Sequence, residues 1–398
     1  MFKAFFLVLL FLGAREDELL KNLDEARKVN DITSSIKILK TLITDNPENT
    51  DYIISLGEIY MDEDSLEIAL AYFKKAIVLE PLNKKALKDL AIAYGKTGKH
   101  RYSMSCLKTL LACEPDKLDN HLLLAETYNN LRLYNESIEL MQPLITKHEN
   151  SIEVNFLMGL TLYQAGREQE SEKYFEKVKK QNPEDGRTLF LLGELSFKKR
   201  DFLKAKELFN NAIEKGHTNN LGLLTHLAQS ELELSDTLSA IKTLKLTIRY
   251  FPENAPSYVI LSRITKDRKK KLQYMKKAVE ISQESIPYII ELGVILETSK
   301  QYNQAARLYR HVINLYPEDY NGFFALAKLS FKRKNSKSAL DNYYLALEKK
   351  NVSVSVYLEF AECLLKLNRK QEAKGVLEKG LKLFNEDKKL KELLQSIK

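Results

Sequence analysis

"TDYIISLGEIYMDEDSLEIALAYFKKAIVLEPLN", Thr50–Asn83, decides the fold of this chain. Two amphipathic stretches flank the polar run "MDEDS", Met61–Ser65. Apolar side chains in each recur at the spacing of one helix face. Pro81 stops the second stretch, because proline has no amide proton to continue a helix. The segment reads as two helices joined by a short turn. A single hairpin of this kind cannot bury its apolar face, so the pattern should recur along the chain.

It recurs with a period of 34 residues. Eleven units follow: 16–49, 50–83, 84–117, 118–151, 152–185, 186–220, 221–254, 255–285, 286–319, 320–353 and 354–387. The eighth position of a unit is small in ten of the eleven, as in Gly57, Ala91, Gly159, Gly293 and Ala361. The twentieth is small in ten as well, as in Ala69, Ser103, Ser171, Ala305 and Ala373. Four residues later comes a bulky column that includes Phe73, Met141, Phe175, Phe209, Tyr309 and Tyr343. Pro47, Pro81, Pro115, Pro183, Pro252 and Pro317 occupy position 32. Small residues let two backbones approach, and the bulky residue fills the space beside them. Stacked hairpins then share one continuous core.

These columns resemble the tetratricopeptide repeat (TPR) family, whose pattern has small residues at 8, 20 and 27, an aromatic at 24 and proline at 32. The resemblance runs from Glu16 to about Asp387. It implies an all-α fold, an α-solenoid of about eleven TPR helical hairpins in a right-handed superhelix. Lys388–Lys398, "KKLKELLQSIK", reads as the solvating helix that caps such an array. The resemblance says little about function, because one scaffold serves many tasks.

Composition agrees with a helical chain without linkers: Gly (14) and Pro (9) are scarce and no Ser/Gly/Pro-rich stretch separates domains. Charge is uneven. Residues 16–185 carry 22 basic and 30 acidic side chains, and residues 186–398 carry 38 and 24. Such asymmetry concerns steering and partners rather than fold. The run "TKDRKKKLQYMKK", Thr265–Lys277, lies in a unit shortened to 31 residues, with Lys271 in the small-residue column. It reads as a tight turn plus the wet face of a helix, with changed curvature between the seventh and ninth units. Residues 1–14, "MFKAFFLVLLFLGA", resemble a secretory signal peptide with cleavage after Ala14. They are too short to span a bilayer. An exported or periplasmic location is the expectation, with a cytoplasmic one as the alternative.

Catalytic chemistry has no visible constellation. "YGKTGKH", Tyr94–His100, lacks the spacing of a phosphate loop and falls at the turn between helices. The carboxylates of Met61–Ser65 lack the glycine and distant glutamate of a calcium loop. The six histidines are scattered, and Cys106, Cys113 and Cys363 form no metal-ligand pair. The three cysteines read as buried small hydrophobes. No cofactor, metal or catalytic residue is expected.

The resemblance also places the first helix of each unit along a concave groove, with positions 2, 5, 9, 12 and 13 facing it. Asp51, Glu58 and Glu126 then make its N-terminal part acidic. Phe156 with Tyr163, Phe190 with Phe197, and Phe324 with Phe331 are spaced seven apart on one helix face, the last pair beside Lys328. These ten residues are the candidate protein-binding groove, with aromatics as anchors. The competing reading turns Tyr163, Phe197 and Phe331 inward as packing residues. The residues with which TPR proteins grip chaperone tails are missing, since Lys88 is the only lysine at position 5 of the first six units and Ile92 follows it at position 9. The expected function is a non-catalytic scaffold that binds a peptide or protein surface and supports assembly of a complex. Alternatives are anionic-polymer or RNA binding by the basic half, although nucleic acid is disfavoured by the irregular placement of its cations, and an accessory role in an envelope-polymer assembly machine. Membrane contact is expected only through the N-terminal segment.

Overall fold

The computed structural model describes residues 2–397, with side chains from residue 15 onward. The apolar segment 1–14 and its expected cleavage site lie outside the residues whose side chains are described. Every element among the described residues is helical or a connection between helices. The helices are α1 (Phe2–Lys28), α2 (Ile32–Asp45), α3 (Thr50–Asp62), α4 (Leu66–Leu79), α5 (Lys84–Lys96), α6 (His100–Cys113), α7 (Leu118–Asn130) and α8 (Tyr134–Lys147). Next come α9 (Ile152–Gln164), α10 (Glu168–Gln181), α11 (Gly186–Lys198), α12 (Phe202–Glu214), α13 (Leu221–Glu233), α14 (Thr237–Tyr250), α15 (Ala255–Ile264) and α16 (Arg268–Ile281). The last are α17 (Ile286–Thr298), α18 (Tyr302–Leu315), α19 (Tyr320–Lys332), α20 (Ser336–Leu347), α21 (Val354–Lys366), α22 (Lys370–Leu383) and α23 (Lys388–Ser396). The fold is an all-α solenoid of helical hairpins. The chain divides into two compact bodies, Met1–Leu195 and Ser196–Lys398.

Most hairpins begin with a cap written into the sequence, although α7, after Lys117, and α17, after Ser285, have no side-chain cap. The Asn83 carboxamide oxygen accepts from the Ala86 amide, and Ser151, Asp319 and Asp387 act likewise at α9, α19 and α23. Such caps satisfy amides that the first helical turn leaves open. The turn inside the hairpin is equally regular. Position 15 takes a left-handed backbone in ten hairpins: Asn30, Asp64, Gly98, Arg132, Gly166, Arg200, Ser235, Lys300, Lys334 and Asn368. The next amide bonds back to the carbonyl of position 11, as Lys99 does to Tyr94 and Ser65 to Tyr60, both at 2.8 Å. This is the six-to-one closure of a helix C-terminus. It accounts for Gly98 in "YGKTGKH" and for Asp64 in "MDEDS" without a ligand.

The small columns act as contacts between paired helices. The Ser171 hydroxyl donates to the Gly159 carbonyl at 2.8 Å, and Ser137 to that of Ala125 at 3.2 Å. Phe73, Phe175 and Tyr309 are fully buried. Each ring lies against the glycine sixteen residues before it. A Cβ on Gly57 would stand 2.6 Å from the Phe73 ring, and one on Gly159 would stand 2.8 Å from Phe175. Where position 8 is alanine, the bulky slot mostly holds Leu or Met, as in Ala91 with Leu107 and Ala125 with Met141. Between hairpins of the N-terminal body, lysines at position 25 sit over tyrosines at position 11 of the next hairpin. Lys40 covers Tyr60, Lys74 covers Tyr94 and Lys108 covers Tyr128, at 6.0, 5.6 and 5.7 Å. Each is a modest cation–π contact.

In the C-terminal body, Leu390 of α23 is fully buried against the last hairpin. The cysteine reading needs one correction: Cys363 is buried, whereas Cys106 and Cys113 are only half-buried. Cys106 packs against the cores of its own and the preceding hairpin.

Gly159→Ala should destabilise the N-terminal body. Overpacking costs about 1–3 kcal/mol, more than the roughly 1 kcal/mol that alanine returns in helix propensity. The double variant Gly159→Ala, Phe175→Leu should recover most of the loss. Urea unfolding of the two single variants and the double would measure that coupling, and strict additivity would contradict the ring-over-glycine account.

Candidate functional site

First helices of successive hairpins lie side by side, α3 with α5 and α7 with α9 in the N-terminal body, and α17 with α19 in the C-terminal body. Each body therefore presents a face built from first helices, and the candidate residues distribute along it.

Asp51 is exposed in the first turn of α3, where the helix dipole favours an acid. Glu58 is half-buried and its carboxylate lies 2.8 Å from the Lys85 ammonium. Lys88, one turn further along α5, lies 3.6 Å from the Asp119 carboxylate. Part of the acidic character read from single columns is thus cancelled by lysines of the neighbouring helix. Asp89, which the sequence reading passed over, follows Lys88 on α5, one turn beyond Lys85. Its Oδ2 is buried with no hydrogen-bond partner. Burial, aided by repulsion from Glu58 and opposed by the two lysines, pushes its pKa up to about 6.

Glu126 remains exposed and forms one wall of a cavity of about 190 Å³ between α5, α6 and α7. Ile92, Gly95, His100 and Asn130 also line it. Surrounding protein deprives Glu126 of bulk water and raises its pKa. The His100 Nδ1 is buried here without a partner. In the C-terminal body Glu231 is 3 % exposed, and burial raises its pKa as well. It sits near the close ion pair of Lys206 and Asp236, at 2.6 Å.

The aromatics are half-buried rather than freely presented. Phe156 lies 5.8 Å from Phe175 between ring centroids, and the Arg187 guanidinium covers it at 4.8 Å. Tyr163 follows two turns later on α9, and Phe190 lies on α11. Phe197 stacks on His226 at 4.5 Å and meets the edge of Phe202 at 5.7 Å. Phe324 lies 6.2 Å from Tyr343, and the Lys328 ammonium stands 5.0 Å from its centroid. That ammonium also pairs with Glu359 at 2.9 Å. Phe331 packs against the core of the last hairpins. The structure brings Phe324 and Lys328 into direct contact. His226 and Asp89 are the neighbours that sequence reasoning missed. Lys85, Lys88 and Arg187 had a usable signal, positions 2 and 5 of the next hairpin.

Among the described residues no cluster of His, Cys, Asp and Glu could hold a metal ion. No helix among them is long and apolar enough to cross a membrane.

Comparison with known proteins places this architecture. Residues 50–81 match the family described as Tetratricopeptide repeat, and residues 124–254 match the Psidin N-terminal TPR repeats region. A tetratricopeptide repeat protein from Parabacteroides merdae superposes with a TM-score of 0.51 at 16 % identity, over 66 % of this chain and 98 % of that one. Yeast Tom70 gives a TM-score of 0.42 at 17 % identity, over 97 % and 88 %. YrrB, described as a TPR protein with an unusual peptide-binding site, gives 0.37 at 21 % identity, over 44 % and 91 %. No curated protein matches the chain.

Asp89 yields a pH prediction. Its folded pKa is raised above the model-peptide value, so the cost of burying its charge is present above about pH 6 and vanishes as pH falls toward 4. Asp89→Asn should raise the unfolding midpoint at pH 7.5 more than at pH 5. The expected difference is on the order of 2 kcal/mol. Thermal melts of both chains across that range would check it, and parallel pH profiles would refute it.

Proposed function

We propose that this tetratricopeptide-repeat protein is a non-catalytic scaffold that receives a peptide segment or partner surface on the first-helix face of its hairpins and so supports assembly of a protein complex. One observation carries the reading. Charged and aromatic side chains recur on that face at hairpin spacing, while the small and bulky columns that hold the hairpins together are buried. Half-buried aromatics suit this role, since an anchor that is already ordered loses little freedom on binding. Glu126 and Asp51 supply exposed carboxylates, and Lys328 a cation already poised over an aromatic ring. The apolar segment 1–14 supports an exported or periplasmic setting for this scaffold.

The basic C-terminal half favours a second reading, attachment to an anionic polymer. Lys266, Arg268, Lys269 and Lys270 form an exposed cationic run there. Retention of RNA on filters that falls steeply with salt would favour it, and absence of retention at low salt would remove it.

The test of the first reading is affinity purification from the native host with mass spectrometry. Glu58→Lys with Glu126→Lys, and separately Phe156→Ala with Phe190→Ala, should each reduce partner recovery several-fold while the circular dichroism spectrum stays helical. Undiminished recovery from folded variants would exclude binding on this face.

A further inference from the structure

The eighth hairpin departs from the others in one place. Its first helix, α15, has 10 residues, where α13, α17, α19 and α21 have 13 each. The left-handed turn residue is missing, and the backbone is extended instead at Thr265, with φ −76° and ψ 125°. The last turn of α15 is thus absent. It leaves open a cavity of about 280 Å³ between α15, α16 and α17.

Lys271 projects into this cavity from α16. It occupies the slot that Ala240, Ala305, Ala339 and Ala373 fill in neighbouring hairpins, all of them fully buried. Lys271 itself is half-buried, and among the described residues no carboxylate lies within ion-pair distance of its ammonium. The other charges at the rim cancel. Arg263 holds Glu291 through three hydrogen bonds, from Nη2 at 2.7 Å and from Nε to both oxygens at 3.0 and 3.2 Å. One positive charge is left over at the cavity, while the Asp267 carboxylate caps the N-terminus of α16 itself. Across the cavity stand Val294, 49 % exposed, and the half-buried Ile295. Arg263 and Val294 are both at position 9 of their hairpins. The cavity therefore opens on the first-helix face, and a second helix supplies its charge.

We infer that this notch receives a carboxylate of a bound peptide segment, with the Lys271 ammonium as its counter-ion and an adjacent apolar side chain resting on Val294 and Ile295. The inference rests on the peptide-scaffold reading and adds the chemistry of one subsite. A carboxylate supplies the counter-charge that this ammonium lacks among the described residues. A neutral peptide would leave that charge unanswered, and a basic one would oppose it.

Parallel selections from displayed libraries of random twelve-residue peptides would test it. One library has blocked C-termini and the other free C-termini. Each is panned on the full chain and on the Lys271→Ala and Lys271→Glu variants. The alanine variant restores the residue of four neighbouring hairpins and should fold, which a thermal melt verifies. The expected result is at least tenfold enrichment, on the unsubstituted chain, of an acidic group next to Leu, Ile or Val. That enrichment should vanish with Lys271→Ala and turn toward Lys or Arg with Lys271→Glu. Acidic enrichment confined to the free-terminus library would assign the subsite to a chain end, and enrichment in both would assign it to Asp or Glu side chains. Identical peptide sets on all three chains would overturn the notch and leave the scaffold intact. Failure of every chain to enrich any peptide would overturn both.

Discussion

The close approach of two helices at a glycine or alanine, with a ring or branched side chain laid over it, is the contact on which the structure depends. Gly57 under Phe73 and Gly159 under Phe175 leave no room for even a methyl group. Buried serines bond across the same gap to the opposite backbone. A hairpin closed this way presents one remaining apolar side to the next hairpin, and stacking follows because a solenoid unit contacts only its neighbours. The left-handed turn at position 15 sets the angle at which the second helix returns. Side-chain caps on most first helices complete the pattern.

That pattern explains how legible the fold was. The signals lie within about 20 residues of each other, so spacing alone carries them. Gly57 and Phe73 are sixteen apart, and the turn at Asp64 lies between them. Two suspicious stretches, Tyr94–His100 and Met61–Ser65, lose their mystery once their left-handed residue is seen to close a helix. The acid column was less legible. Glu58 reads as a free carboxylate until Lys85 is found 2.8 Å away, from a helix that begins 26 residues later. Electrostatic environment depends on which side chains meet across hairpins, and a column of one position per unit does not record it.

Aromatic residues show the same limit. Phe156, Phe197 and Phe324 stand at groove spacing, yet each is covered on one side by a neighbour: Arg187, His226 and Lys328. A ring at the border of a core and a face belongs to both. Its exposure is decided by the size and charge of whatever packs beside it, which is a property of the assembled stack.

By itself the sequence determined the helical class, the hairpin period and the tightly packed columns, because helix geometry turns residue spacing directly into shared faces. It also marked the eighth hairpin as three residues short. Only the tertiary structure decided what that shortening does. It removes the last turn of α15, opens a cavity on the first-helix face, and leaves the Lys271 ammonium there without a carboxylate. It likewise decided that one Asp89 oxygen is buried and unbonded while Glu58 is paired. Burial and charge partnership arise between hairpins, from side chains whose separation along the chain carries no fixed spacing for a sequence to display.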